Sequence, residues 1–164
     1  MATVDVSSGL NAGTQPSRSV INGPYVVETT LNFATATTTK GSALAAADVL
    51  EVLDIPAETL ILNAGYEVTA AITGYVAVDV GVTGVDADNF IDGATLSGSS
   101  TVGAYAQNAA AFQPIVIGAS ADTLDVLIAT STTAISAGKI RVWAVLCDIN
   151  ARPAAASVDR EQLA

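Results

Sequence analysis

The sequence predicts an all-β domain: an antiparallel β-sandwich, jelly-roll-like, with extended N- and C-terminal arms. Three observations point there. Val and Thr, which fit pleated and half-buried surfaces, number 19 and 18 among 164 residues. Roughly eight short apolar or alternating runs are separated by Gly, Pro, Asn and Asp, the spacing of a sandwich or barrel. Long crossings between such runs fit a jelly roll best, and the lack of amphipathic helices between them argues against a parallel α/β sheet.

Residues 1–24 are rich in Ser, Gly, Asn and Thr with little periodicity, and read as an extended arm. Asn22-Gly23-Pro24 marks the turn into the body, taken as 25–149. Residues 25–37 alternate, with Val27, Thr29, Leu31 and Phe33 on one face and Glu28, Thr30 and Asn32 on the other. The Ala-rich stretch 43–48 suggests one helical turn. Strands follow at 49–55, closed by Pro56, and at 58–63. Ala64-Gly65 reads as a turn into a strand carrying Tyr66, Val68, Ala70 and Ile72. Thr73-Gly74 then leads to Val76, Val78, Val80 and Val82, the cleanest alternation in the chain. Residues 83–103 read as a long connection with a short helical turn near Asp88 to Asp92. Residues 104–111 read as a short helix or an irregular crossing. Three late strands are expected at 114–118, 122–131 and 139–149. The last is apolar on both faces: Ile140, Val142, Ala144 and Leu146 on one, Trp143, Val145, Cys147 and Ile149 on the other. Such a strand lies between two layers or under a partner subunit. Residues 150–164 return to Ala, Pro and charge, as a tail or second arm.

Composition removes most chemistry. The chain has no His, which excludes His-based triads, His-ligated zinc and His pH switches. Cys147 is the single cysteine, so it forms no intrachain disulfide or Cys cluster, and its apolar surroundings make it a small core hydrophobe. The net charge is −10, and the six cations, Arg18, Lys40, Lys139, Arg141, Arg152 and Arg160, are scattered. Neither nucleic acid nor an anionic membrane surface suits that pattern. The opening residues lack a basic start and apolar stretch, and no apolar run reaches membrane-span length, so the chain is expected to stay in the cytoplasm or join a particle assembled there. Charged residues are only 13%, against about 25% in an average domain, which suggests that much surface is covered in an assembly.

Few residues invite a functional reading. Asp86, Asp88 and Asp92, with the Asn89 amide, offer the hard oxygens that calcium takes, although the spacing is not that of an EF-hand. The alternative is a solvated loop with Asp capping a helical turn while Phe90 and Ile91 pack inward. Paired carboxylates for glycoside hydrolysis find few aromatic platforms beside them. Gly81 to Gly84 lacks the ending of a phosphate loop and reads as a turn. Lys139 and Arg141 share a face with Trp143. They could make a cation–π contact, anchor an acidic partner, or form the wet edge of a sheet. No catalytic, cofactor-binding or metal residue is assigned.

From Val49 to Gly93 the chain carries ordered pieces of a pattern: Ile55-Pro56-Ala57-Glu58-Thr59, Glu67-Val68-Thr69-Ala70-Ala71, Asp79-Val80-Gly81 and Phe90-Ile91-Asp92-Gly93. This segment resembles small virion proteins of tailed bacteriophages, especially marine and cyanobacterial ones. The resemblance implies a β-sandwich, often jelly-roll-like, on the outer surface of a capsid. There it would decorate or cement the shell, commonly as a trimer over junctions of the major capsid protein. It supplies no catalytic residues and no cofactor. The expected partners are the major capsid protein and further copies of the chain. A tail or host-receptor-binding component on the same fold is the alternative, with Phe90, Tyr105 and Phe112 as candidate binding aromatics.

Overall fold

The computed structural model describes residues 2–5, 24–107 and 112–149. The described residues form β1 (Thr3–Asp5), β2 (Tyr25–Asn32), α1 (Phe33–Lys40), β3 (Val49–Ile55), β4 (Thr59–Val82), β5 (Asp86–Ser97), β6 (Tyr105–Gln107), β7 (Ile115–Val116) and β8 (Asp122–Asp148). All eight strands belong to one mixed sheet, with a spine ordered β1-β3-β8-β4-β5. β2 adds to β8, and β6 and β7 add to β4. The all-β class is therefore what the chain adopts. The tail 150–164 and most of the arm lie outside the described residues. Within the expected arm, Thr3–Asp5 pair in parallel with Val49–Glu51.

Several expected boundaries are corrected. Residues 33–37 do not continue the strand, because the chain caps a helix there. The Asn32 side chain accepts from the Ala34 N–H at 3.1 Å, and Gly41, at φ 76°, donates to the Thr37 and Thr38 carbonyls. Phe33 and Ala36, one turn apart, are the buried residues of this helix. Residues 43–48 form no helical turn. Residues 83–103 are no long connection: Asp86–Ser97 folds back on β4 as a strand, so the expected helix near Asp88 is absent.

The expected turns at Ala64-Gly65 and Thr73-Gly74 are not chain reversals. Five of the anticipated strands fuse into β4 and β8, of 24 and 27 residues. At about 3.3 Å per residue a straight 24-residue strand would run roughly 80 Å, twice the roughly 40 Å width of a domain this size. The ribbon must therefore bend. Its ladder slips repeatedly between Val68 and Val76, and Gly74 and Gly138 stand at φ 122° and 114°. A Cβ on Gly74 would sit 2.6 Å from the Ala134 carbonyl oxygen, so backbone approaches backbone where the ribbon turns.

Each half of the ribbon gathers its own flanking strands. Thr59–Val68 and Lys139–Asp148 carry β2, β6 and β7, whereas Tyr75–Val82 and Asp122–Ser131 carry β1, β3 and β5. Inward side chains of both halves join one core. Leu31, Val68, Ile140, Val142, Ala144 and Leu146 meet Leu50, Val76, Val78, Val80, Leu124, Val126 and Ile128, with Phe33 and Phe90 among the largest. The long alternations read from the sequence are these inward rows.

Candidate functional site

The acidic hairpin does not assemble a metal site. Asp86, Asp88 and Asp92 are exposed, and among the described residues no group of three or more acidic or thiol side chains could hold an ion. Asn89 is buried and already satisfied: its Oδ1 accepts from Gln113 N at 3.0 Å and its Nδ2 donates to the Gln113 carbonyl at 2.6 Å. Phe90 is in the core, its ring 6.1 Å from that of Phe112. A hydrogen bond shared with Asp88, then burial, pushes the Asp86 carboxyl up.

Asp79 lies buried beside this hairpin and accepts from Gly93 N–H at 2.7 Å. Burial, then the charges of Asp92 and Asp88, raise its carboxyl above the ordinary 3.8. Asp125 is raised in the same direction by burial, although it accepts from Thr123 and Thr83. A carboxyl whose folded value exceeds its unfolded one makes the fold more stable as pH falls from neutral through that folded value. Asp79→Asn keeps an acceptor for Gly93 and removes the charge. We expect a higher thermal midpoint at neutral pH and little change below pH 3.8, where Asp79 is protonated in both states. Thermal unfolding across pH checks this, and a variant less stable at neutral pH would contradict it.

A hollow between β4, β5 and β6 is lined by Tyr66, Val68, Thr95, Leu96, Ser100 and Tyr105. Its side chains include hydroxyls but no carboxylate, amine or thiol. Burial pushes the Tyr66 phenol up to about 12, so it stays protonated at neutral pH. The hollow offers no base for acid–base chemistry.

The outward face of the ribbon's first half is different. Ladder register places its side chains in four cross-strand rows. Val116, Leu60 and Cys147 form one row, and Asn63, Val145 and Val26 the next. Gln107, Gly65, Trp143 and Glu28 form the third, and Tyr105, Glu67, Arg141 and Thr30 the fourth. The indole of Trp143 lies over Gly65, where an added Cβ would stand 2.8 Å from the ring. Val26 is 63% exposed, Val116 57% and Ile149 42%, while Trp143, Val145 and Cys147 are half-buried. Cys147 thus faces outward rather than into the core.

Arg141 borders this apolar patch and is held by two of the chain's own carboxylates, Glu67 at 2.6 Å and Glu28 at 3.3 Å. Its charge is already compensated, which weakens the reading of Arg141 as an anchor for an acidic partner. The result is a near-neutral, partly apolar face on a chain of net charge −10. The two-faced last strand signalled half of this face. Val26, Leu60 and Val116 were missed, because their places depend on which strands flank β8 and β4.

No family model and no curated protein matches the chain. Solved structures do. A chain from the capsid of Ralstonia phage GP4 is 15% identical with a TM-score of 0.61, covering 90% of this chain and 98% of that one. A chain from the cyanophage Pam1 capsid asymmetric unit is 16% identical with a TM-score of 0.55, covering 84% and 96%. The protein therefore has the fold of chains found in two phage capsids.

Proposed function

We propose that the chain is a structural virion protein that decorates and cements the outer capsid surface, bridging neighbouring major capsid proteins as a homotrimer. What supports the reading is the fold it has in common with chains of two phage capsids, together with the outward face around Trp143. The observation that carries it is that face: an apolar centre with self-compensated charge at its border has the anatomy of a protein interface. Its occupant is a second copy of the chain. Identical acidic molecules repel over most of their surface, and approach costs least where charge is already neutralised. The mechanism is mechanical, contacts distributed across a shell, with no bond made or broken.

A receptor-binding tail component on the same fold is less well supported. Of the three aromatics that would serve it, Phe90 is in the core and Phe112 packs against it, leaving Tyr105 exposed. The test adds purified protein to capsids lacking it. Saturable attachment at a fixed number of copies, with a raised temperature of genome release, is expected. No attachment to shells, with saturable binding to host glycans instead, would overturn the proposal.

A further inference from the structure

A second surface lies at the edge of β3. Asp48, immediately before that strand, is buried, and its carboxylate is held from within the body. Oδ2 pairs with the Lys40 ammonium and accepts from Ala45 N–H at 2.8 Å. Lys40 also donates to the Ala43 carbonyl at 2.8 Å. The backbone around Asp48 is pinned to β8: Ala47 N–H donates to the Ile128 carbonyl at 2.8 Å, and Ile128 N–H to the Asp48 carbonyl at 2.9 Å. Ala47 stands at φ 67°, a conformation an alanine keeps only when its surroundings impose it. This seat is built entirely from residues 40–51 and β8.

Residues 2–5 add to it with few contacts. Ala2 N–H donates to Asp48 Oδ1 at 3.2 Å, Val49 N–H donates to the Ala2 carbonyl at 2.9 Å, and Thr3–Asp5 ladder on Val49–Glu51. Val4 is buried beneath. Eighteen residues, 6–23, then intervene before Pro24. At up to about 3.5 Å per residue that length reaches roughly 60 Å, more than the roughly 40 Å width of the domain. A built acceptor edge and a short strand joined to the body through eighteen further residues are the conditions under which identical subunits exchange strands, since the contacts are the same in either arrangement. Within an oligomer a neighbour's seat lies inside the same reach, and each exchanged strand ties two subunits together.

We propose that in the assembled oligomer the β3 edge is filled by residues 2–5 of a neighbouring copy, so that the subunits are stitched by cyclic strand exchange. This rests on the homo-oligomer proposed above. Thr3 and Val49 face each other in the ladder, at a separation a disulfide spans. The full chain carrying Thr3→Cys and Val49→Cys is oxidised as the purified oligomer and run on a denaturing gel without reductant. Each single variant controls for Cys147. Most of the protein should shift from the single-chain band to covalently linked dimers and trimers. Disulfides closed within single chains would overturn exchange while leaving the oligomer intact. Thiols left reduced would place the strand on neither seat and overturn it equally. Sedimentation of the same sample separates the two ideas, because a monomer there refutes the oligomer itself.

Discussion

Replacing Val26 and Val145 together by lysine is expected to convert the proposed oligomer into a folded monomer. The two residues are cross-strand partners on the outward face, Val26 largely exposed and Val145 half-buried. Burying a lysine against a sister chain leaves an ammonium with no partner in a dry contact. Central interface positions typically contribute about 2 kcal/mol or more, so two of them should weaken association roughly a thousandfold. The fold should survive, because neither side chain belongs to the core cluster. Sedimentation would report the loss of oligomer, and circular dichroism the retained sheet. Val27, the inward neighbour, is the contrast: Val27→Lys should unfold the chain. A double variant that stays oligomeric would remove this face from the interface.

Asp48→Ala should produce the largest loss of stability from a single polar side chain. It strips the acceptor from Lys40, Ala45 N–H and Ala2 N–H at once. Removing one partner of a deep ion pair costs about 3–5 kcal/mol. This pair lies close under the surface, where Lys40 can turn toward water, so about 2–3 kcal/mol is expected from urea unfolding. Adding Lys40→Met should recover part of that loss, since the uncompensated charge goes with it. Burial alone would raise the Asp48 carboxyl, but the Lys40 ammonium and the two backbone donors outweigh it and hold it below the ordinary 3.8. Its stabilisation is therefore present above 3.8 and lost as pH falls through the lower folded value. Asp79 and Asp125 run in the opposite sense, so stability should peak on the acid side of neutral.

The inward rows of the sheet were legible because they follow local alternation. Val76 to Val82 and Ile140 to Leu146 are core residues, as their period demands. What could not be read was whether consecutive strands were separate. Gly65 looks like a turn in sequence, yet in the fold it makes room for the Trp143 indole on a neighbouring strand, a demand that local residues do not encode. Gly74 does mark a break, but as a bend in one ribbon rather than a reversal. Helix α1 was hidden by its Thr-rich composition and by an alternation that ran on into Phe33. Asn32 and Gly41, the capping residues that bracket it, were the signal that could have found it. The Lys40–Asp48 seat depends on long-range pairing of Ala47 and Asp48 with Ile128 of β8 and gave no sign in the sequence.

We propose a chain that works as a layer on a shell, with the face around Trp143 turned to a sister copy. An image reconstruction of the particle that carries it tests that most directly. Density is expected on the outside of the capsid, over junctions between capsid subunits, with the Trp143 face covered by a sister copy. Density confined to the tail, or a Trp143 face left open to water on every copy, would contradict it.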